Sequence, residues 1–96
     1  MWQVSVDKKC QKQIEKLDPQ IARHIIEDME CLKDDPMQSD VAEDSRARKL
    51  GLRYIRVARD WRLFFRLKGK EVLVEFVVHR ETGYDEIARY LRSLNL

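Results

Sequence analysis

The alternation of apolar and basic side chains in residues 61–68, followed by the apolar run of residues 71–79, constrains the fold of this chain more than any other feature. Residues 61–68, WRLFFRLK, and residues 71–79, EVLVEFVVH, flank the tight-turn sequence Lys68-Gly69-Lys70 and are predicted to form a β-hairpin. Strand side chains point alternately to the two faces of a sheet. In the first strand one set is Trp61, Leu63, Phe65 and Leu67, and the other is Arg62, Phe64, Arg66 and Lys68.

The arginines decide which of these faces is buried. An unpaired guanidinium in an apolar core is strongly unfavourable, so the set that contains Trp61 must face the core. In the predicted strand at 52–58, Ile55 and Val57 point one way and Tyr54 and Arg56 the other. We therefore expect one apolar face packed on helices and one basic face that is open to solvent.

Three stretches carry signals of helices. The first follows the N-terminal strand, and the second begins at Asp18-Pro19 and ends before Pro36. In the third, Thr82 and Asp85 form a predicted capping box. The apolar stripe of this last helix is Tyr84, Ile87, Ala88, Leu91 and Leu94.

The order of the predicted elements indicates an α+β fold. Short strands are predicted at 2–6, 46–50, 52–58, 61–68 and 71–79, with residues 37–45 as the one long loop. Four consecutive strands after a helical hairpin favour a twisted, mainly antiparallel sheet. We predict a single domain, residues 1–96, in which an N-terminal strand and a helical hairpin pack on this sheet and a C-terminal helix follows it.

The strand at 71–79 is apolar on both of its faces. Strict alternation places Val72, Val74, Phe76 and Val78 in one set and Glu71, Leu73, Glu75 and Val77 in the other. Such a strand is expected in the middle of a sheet, covered on both faces over part of its length.

Composition limits the classes of function. Residues 1–44 carry a net charge of −5 and residues 45–96 a net charge of +7, which favours a polyanionic partner for the second half. No apolar run is long enough to span a membrane, and the N-terminus lacks the pattern of a signal peptide, so we expect a cytoplasmic protein. Cys10 and Cys31 are far apart and are expected to be reduced, and with two histidines a zinc site is not expected.

The basic face is suited to single-stranded RNA. Phosphates pair with arginine while bases stack on aromatic rings, and Arg56, Tyr54, Phe64 and Arg66 share the predicted face with Arg62. At the end of the last strand lie His79 and Arg80, and Tyr84 begins the following helix.

These residue types can cleave RNA without a metal. The 2′-OH of RNA attacks the adjacent phosphorus, arginines stabilise the developing charge, and a histidine or tyrosine transfers protons. The sequence contains neither a Walker loop nor a nucleophile elbow, and no cofactor is expected.

The run RKLGLRYIRVARDWRLFFRLKGKEVLVEFVVHRETGY, with the preceding helical hairpin that ends in DDP, resembles the RelE/ParE superfamily of toxins from type II toxin–antitoxin systems. The resemblance implies a small cytoplasmic toxin that cleaves mRNA in the ribosomal A site without a metal, close to ribosomal RNA. It also implies a cognate antitoxin that neutralises the toxin in a hetero-oligomer.

Site roles follow from the same resemblance. By position, Arg62 and Arg80 resemble the arginines that stabilise the transition state. Tyr84 resembles a tyrosine that stacks on a base or assists proton transfer, and His79 is a second candidate for proton transfer. Arg56 resembles a basic strand residue that contacts RNA, and Lys49 matches another basic residue upstream.

Two departures from the family pattern keep other functions open. Ala58-Arg59-Asp60 replaces the usual turn glycine, and Tyr54 stands where some members carry lysine. The alternatives are a ParE-like inhibitor of DNA gyrase that acts by binding, and a degenerate member that binds an antitoxin without catalysis.

Overall fold

The computed structural model describes residues 2–42 and 45–93, except for the side chains of Gln38 and Tyr84. Leu94 of the predicted apolar stripe lies outside these residues. The strands are β1 (Gln3–Val6), β2 (Asp40–Val41), β3 (Arg53–Val57), β4 (Trp61–Lys68) and β5 (Glu71–His79). The helices are α1 (Lys8–Glu15), α2 (Pro19–Met29), α3 (Ser45–Lys49) and α4 (Gly83–Ser93), with short 3₁₀ helices at Glu30–Lys33 and Pro36–Gln38.

The described strands form one five-stranded sheet in the order β1-β5-β4-β3-β2. β1 runs parallel to β5, and the other neighbouring pairs are antiparallel. The α+β class, the helical hairpin and the mainly antiparallel sheet are therefore confirmed.

The helical hairpin begins at two aspartate caps. The backbone N–H of Lys9 donates to Asp7 Oδ2 at 3.0 Å, and that of Gln20 donates to Asp18 Oδ1 at 2.9 Å. Such caps satisfy amides that have no partner within a helix. Pro19 occupies the first turn of α2, as the sequence predicts.

One face of the sheet packs against α1 and α2. We call this cluster the α1–α2 core, and its buried members are Cys10, Ile14, Ile25, Met29, Leu32, Val57, Leu63, Phe65, Val72, Val74 and Val77. Leu63 and Phe65 are completely buried, and Trp61 and Leu67 pack at the edge of the cluster. The predicted burial of this face of β4 is confirmed.

The opposite face is covered as well, so the expectation of an open basic face is wrong. We call this second cluster the α4 core, and its buried members are Ala42, Ala47, Leu52, Tyr54, Phe64, Phe76, Val78 and Leu91. Ile87 and Tyr90 of α4 pack against it. The apolar stripe of α4 needs an apolar surface, and Phe64 and Phe76 supply one between the arginines.

The predicted strand at 46–50 is wrong, because residues 45–49 form α3. Serine, alanine, arginine and lysine tolerate a helix, and Ala47 is completely buried. Gly51 adopts a φ of +79°, and its N–H donates to the carbonyl of Arg48 while that of Leu52 donates to Ala47. This is the Schellman arrangement that ends a helix at a glycine.

Strand β5 does not alternate strictly, because the ladder shifts register between Phe64 and Phe65. Phe64 pairs with Phe76, but Phe65 pairs with Val74, so Glu75 is the additional residue of a β-bulge. Val72 and Val74 therefore join the α1–α2 core, whereas Phe76 and Val78 join the α4 core. The prediction that these four residues share a face is wrong, although β5 is covered on both faces as expected.

Candidate functional site

A small cavity of about 60 Å³ lies where β3, β4 and β5 meet the beginning of α4. Five residues named from the sequence line it: Tyr54, Arg62, Phe64, His79 and Arg80. Its apolar walls include Ala47 of α3 and Ile87 of α4. Sequence reasoning missed these walls, although the stripe of α4 would have indicated Ile87.

Gly83 allows α4 to begin close to β5. A Cβ atom at this position would lie 3.1 Å from Cγ2 of Val78, which is tighter than an ordinary contact. This close approach brings Gly83 to the cavity, beside the end of β5 that carries His79 and Arg80.

Arg62 lies over the ring of Tyr54. Its guanidinium carbon is 5.0 Å from the centre of that ring, within the range of a cation–π contact. The contact holds a half-buried cation at the cavity, with no acidic partner among the residues that the structure describes.

Tyr54 and Phe64 form part of the core instead of an exposed stacking surface. Their exposed fractions are 6% and 2%, and their ring centres are 5.3 Å apart. Phe64 also stacks on Phe76 at 4.8 Å. The expectation that these two rings stand exposed for bases to stack on is wrong, because α4 and α3 cover this part of the sheet.

Arg56 lies directly opposite Arg62 in the β3–β4 ladder and is exposed. Two like charges in paired positions repel each other unless an anion lies between or beside them. This pair therefore makes the surface next to the cavity a favourable place for a phosphate.

Arg80 is tied to the turn between β3 and β4. Its backbone N–H donates to the carbonyl of Asp60 at 2.9 Å, and its Nε lies 3.6 Å from Asp60 Oδ1. The side chain of Arg80 remains 63% exposed. In the sequence, Asp60 belongs to Ala58-Arg59-Asp60, which replaces the usual turn glycine, and it is the single acid between residues 46 and 70.

His79 lines the cavity, but its ring is engaged on two sides. The ring packs edge-to-face on Trp61 with centres 5.1 Å apart, and Nδ1 accepts the backbone N–H of Glu81 at 3.2 Å. Nε2 is therefore the nitrogen that could exchange a proton with a ligand. Tyr84 is the second residue of α4, and its side chain lies outside the described part of the structure.

The other two predicted RNA contacts lie away from this cavity. Lys49 is the exposed last residue of α3. Arg66 binds Glu75, with Nε and Nη2 each 2.8 Å from the same carboxylate oxygen. Burial and then the charge of Glu75 raise the pKa of Tyr90 in α4, and Arg66, Glu75 and Tyr90 line the same groove; we call these three residues the Arg66–Glu75–Tyr90 network.

The cysteines do not form a nucleophilic site. Burial, followed by the charges of Asp7 and Glu75, raises the pKa of Cys10 to about 12. Burial beside Asp28 and Asp34 also raises the pKa of Cys31. Among residues 2–42 and 45–93, no group of three side chains could hold a metal ion. Within the same residues, no helix is long and apolar enough to cross a membrane.

Comparison with known proteins gives matches at the level of structure. A scan against protein-family models found no match, and a search of curated proteins found none either. Among solved structures, the isolated RelE toxin of E. coli superposes with a TM-score of 0.64 over 95% of this chain and 99% of that chain, at 15% identity. This chain has the RelE fold.

A second solved structure with this fold comes from an archaeon. A chain of the RelE–RelB complex of Pyrococcus horikoshii superposes with a TM-score of 0.58, over 82% of this chain and 94% of that chain, at 18% identity. The predicted resemblance to RelE is thus confirmed in the fold, and the RelE fold accounts for nearly the full length of the chain.

Proposed function

We propose that this protein is the toxin of a type II toxin–antitoxin system and cleaves mRNA on the ribosome without a metal. The observation that carries the proposal is that Arg62 and Arg80 line one cavity of a RelE fold. Arg56 extends the positive surface beside it.

The proposed chemistry uses the RNA as its own nucleophile. The 2′-oxygen attacks the adjacent phosphorus, and the bond from phosphorus to the 5′-oxygen of the next nucleotide breaks. A cyclic phosphate and a free 5′-OH result. Arg62 and Arg80 would neutralise the charge that develops on the phosphoryl oxygens, since guanidinium groups bind two such oxygens at once. A metal is not needed to generate the nucleophile.

Two proton transfers accompany this reaction, and we assign them to Tyr84 and His79. One group removes the 2′ proton and the other protonates the leaving 5′-oxygen. In His79 the acting atom would be Nε2, because Nδ1 accepts the N–H of Glu81. Tyr84 is the second residue of α4 and follows the cavity residue Gly83 in the sequence.

Substrate binding would rest on the basic half of the chain. Residues 45–96 carry a net charge of +7, and phosphate contacts dominate the affinity of proteins for nucleic acids. Arg56 is proposed to contact mRNA, and Lys49 and Arg66 to contact more distant phosphates of mRNA or ribosomal RNA. Tyr54 and Phe64 would support the cavity from below, not stack on bases.

An antitoxin is the proposed protein partner. The P. horikoshii match is to a RelE–RelB complex, and a toxin of this kind needs a neutralising protein in the same cell. An acidic segment would complement the basic half of this chain and cover Arg56, Arg62 and Arg80. We propose a toxin–antitoxin hetero-oligomer in the cytoplasm.

The test is cleavage of mRNA on programmed ribosomes by the purified protein. We expect cleavage at a defined position by protein that has been treated with a metal chelator and dialysed, and much weaker cleavage of the same mRNA without ribosomes. Arg62→Ala should lower the rate of this cleavage by about 10²–10³. Inhibition of gyrase supercoiling with intact mRNA would replace this proposal with the ParE-like alternative. If the protein has neither activity but binds an antitoxin, the alternative of a degenerate family member without catalysis is favoured.

A further inference from the structure

The turn between β3 and β4 has an unusual backbone. Ala58 and Arg59 have φ values of +47° and +74°, a region that favours glycine. Such a conformation persists only where the surroundings hold it, and such sites are frequently functional. In this turn, hydrogen bonds with Asp28 and Arg80 hold the backbone.

Three hydrogen bonds lead from helix α2 through this turn to Arg80. Asp28 Oδ2 accepts the N–H of Ala58 at 2.9 Å. The carbonyl of Ala58 accepts the N–H of Asp60 at 2.9 Å, and the carbonyl of Asp60 accepts the N–H of Arg80 at the same distance. The main chain at the end of β5 is thus fixed relative to α2, on the other side of the sheet.

The carboxylate of Asp60 adds a contact with the side chain of Arg80. Oδ1 lies 3.6 Å from Nε, and both side chains are accessible to solvent, 46% for Asp60 and 63% for Arg80. An exposed pair of this kind contributes little to stability. A contact of this kind can nevertheless bias the orientation of a long side chain.

We propose that Asp60 is a positioning residue that holds the guanidinium of Arg80 at the cavity before RNA binds. This inference rests on the proposed function and extends it to Asp60, a residue to which the resemblance to RelE/ParE toxins assigns no role. A misplaced group can cost a large part of the rate even when substrate binding is preserved. Asp60 therefore acts on the chemical step through Arg80, without touching RNA.

The first experiment measures the free protein and does not depend on activity. The ¹⁵N order parameter of Arg80 Nε is determined in the wild type, in Asp60→Asn and in the control Glu81→Ala. Glu81 is an exposed acid beside Arg80 whose side chain has no ion pair within the described residues. We expect the order parameter to fall by about one third in Asp60→Asn, from a rigid to a flexible value, and to be unchanged in Glu81→Ala. An equal value in the wild type and Asp60→Asn would overturn the proposal.

The second experiment measures single-turnover cleavage on ribosomes. We expect Asp60→Asn to lower the rate at saturating protein about tenfold and to leave the half-saturating concentration within about twofold, because Asp60 acts on the chemical step. In an Arg80→Ala background, the same change should have no further effect. An equal loss in that background would assign Asp60 a role apart from Arg80 and would also overturn the proposal.

The two experiments separate this proposal from the proposed function. If the wild type cleaves no RNA but Asp60→Asn lowers the order parameter of Arg80 Nε, the positioning role is supported and the proposed nuclease activity is rejected. If the wild type cleaves mRNA but the order parameter of Arg80 Nε is the same in the wild type and Asp60→Asn, the nuclease activity is supported and the positioning role is rejected. Asp60→Ala provides a second variant if Asp60→Asn does not fold.

Discussion

The α1–α2 core and the α4 core are built on the same strands, yet they differ in what stands between their apolar side chains. On the α1–α2 side, β4 contributes Leu63 and Phe65, both completely buried. On the α4 side, it contributes Phe64 flanked by the half-buried Arg62 and Arg66. The first core can be closed by packing alone, whereas the second must also accommodate cations.

The α4 core solves this problem with aromatic rings. Tyr54, Phe64, Phe76 and Tyr90 form a continuous series in which neighbouring ring centres are 5.3, 4.8 and 4.5 Å apart. Arg62 lies over the ring at one end, and Arg66 binds Glu75 in the groove that Tyr90 lines at the other. One face is therefore formed by apolar packing alone, and the other combines apolar packing with charges that lie beside a cavity.

The largest expected effect is on the α1–α2 core. Phe65→Ala should lower the free energy of unfolding by about 3–5 kcal/mol, because it removes a completely buried ring. Urea denaturation followed by circular dichroism measures the change. The matched control is Met37→Ala, whose side chain is 56% exposed and should cost no more than about 0.5 kcal/mol. Similar losses in the two variants would contradict the assignment of this core.

Next in size is the loss of function at the α4 face. In the proposed mRNA cleavage, Arg62→Ala should lower the rate by about 10²–10³, the usual effect of removing a group that stabilises a charged transition state. Its free energy of unfolding should fall by only about 0.5–1 kcal/mol, through the lost contact with Tyr54. Lys68→Ala removes an exposed cation from the same strand and serves as the control. If Arg62→Ala loses activity because it unfolds, the two faces of the sheet do not differ in the way described.

These two effects also mark how far local sequence determines the structure. Alternation along β4 correctly predicted that Leu63 and Phe65 are buried and that Arg62 lies on the other face, since strand geometry is local. Whether that other face is open depends on where α4 docks. The docking brings together residues distant in sequence, such as Phe64 and Leu91, and alternation within one strand cannot predict it.

Two further errors have similar causes. The bulge at Glu75 depends on the register between β4 and β5, so alternation within β5 alone misplaced Phe76 and Val78. The helix at residues 45–49 depends on Gly51 as its cap and on the burial of Ala47. In the candidate site, Arg62 and Arg80 could be named from the sequence, but the contact of Arg80 with Asp60 required the path of the turn.

A smaller effect is expected where α4 is fastened to the sheet. Glu75→Gln removes the anion that binds Arg66 and should cost about 1–2 kcal/mol, less than a fully buried pair because the side chain of Arg66 is 42% exposed. High salt should reduce the difference. Arg23→Ala disrupts a longer, exposed pair with Glu27 at 3.9 Å and should change stability by no more than about 0.5 kcal/mol.

The same network predicts a dependence on pH. Burial and then the charge of Glu75 raise the pKa of Tyr90 above its ordinary value of 10.0. The neutral phenol therefore favours the docked helix; this contribution is complete below pH 10 and is lost as the pH rises through the raised pKa. Hydrogen exchange in α4 should accelerate over that range beyond its ordinary rise with pH. In Tyr90→Phe the additional acceleration should be absent, and its persistence would remove Tyr90 from the network.

The smallest expected effect lies in the turn that connects the two faces. Arg59→Gly should raise the free energy of unfolding by about 0.5 kcal/mol, because a left-handed backbone costs about 1–2 kcal/mol for a residue with a side chain and glycine recovers part of it. Lys68→Gly, at the end of β4, should instead cost about 0.5–1 kcal/mol. Differential scanning calorimetry resolves opposite signs even at this size. If both glycines destabilise equally, Arg59 is not strained, and the turn cannot be regarded as a conformation that Asp28 and Asp60 hold in place. Opposite signs would show that Arg59 has a strained, left-handed backbone conformation. This turn connects α2, through Asp28, with Arg80 at the cavity.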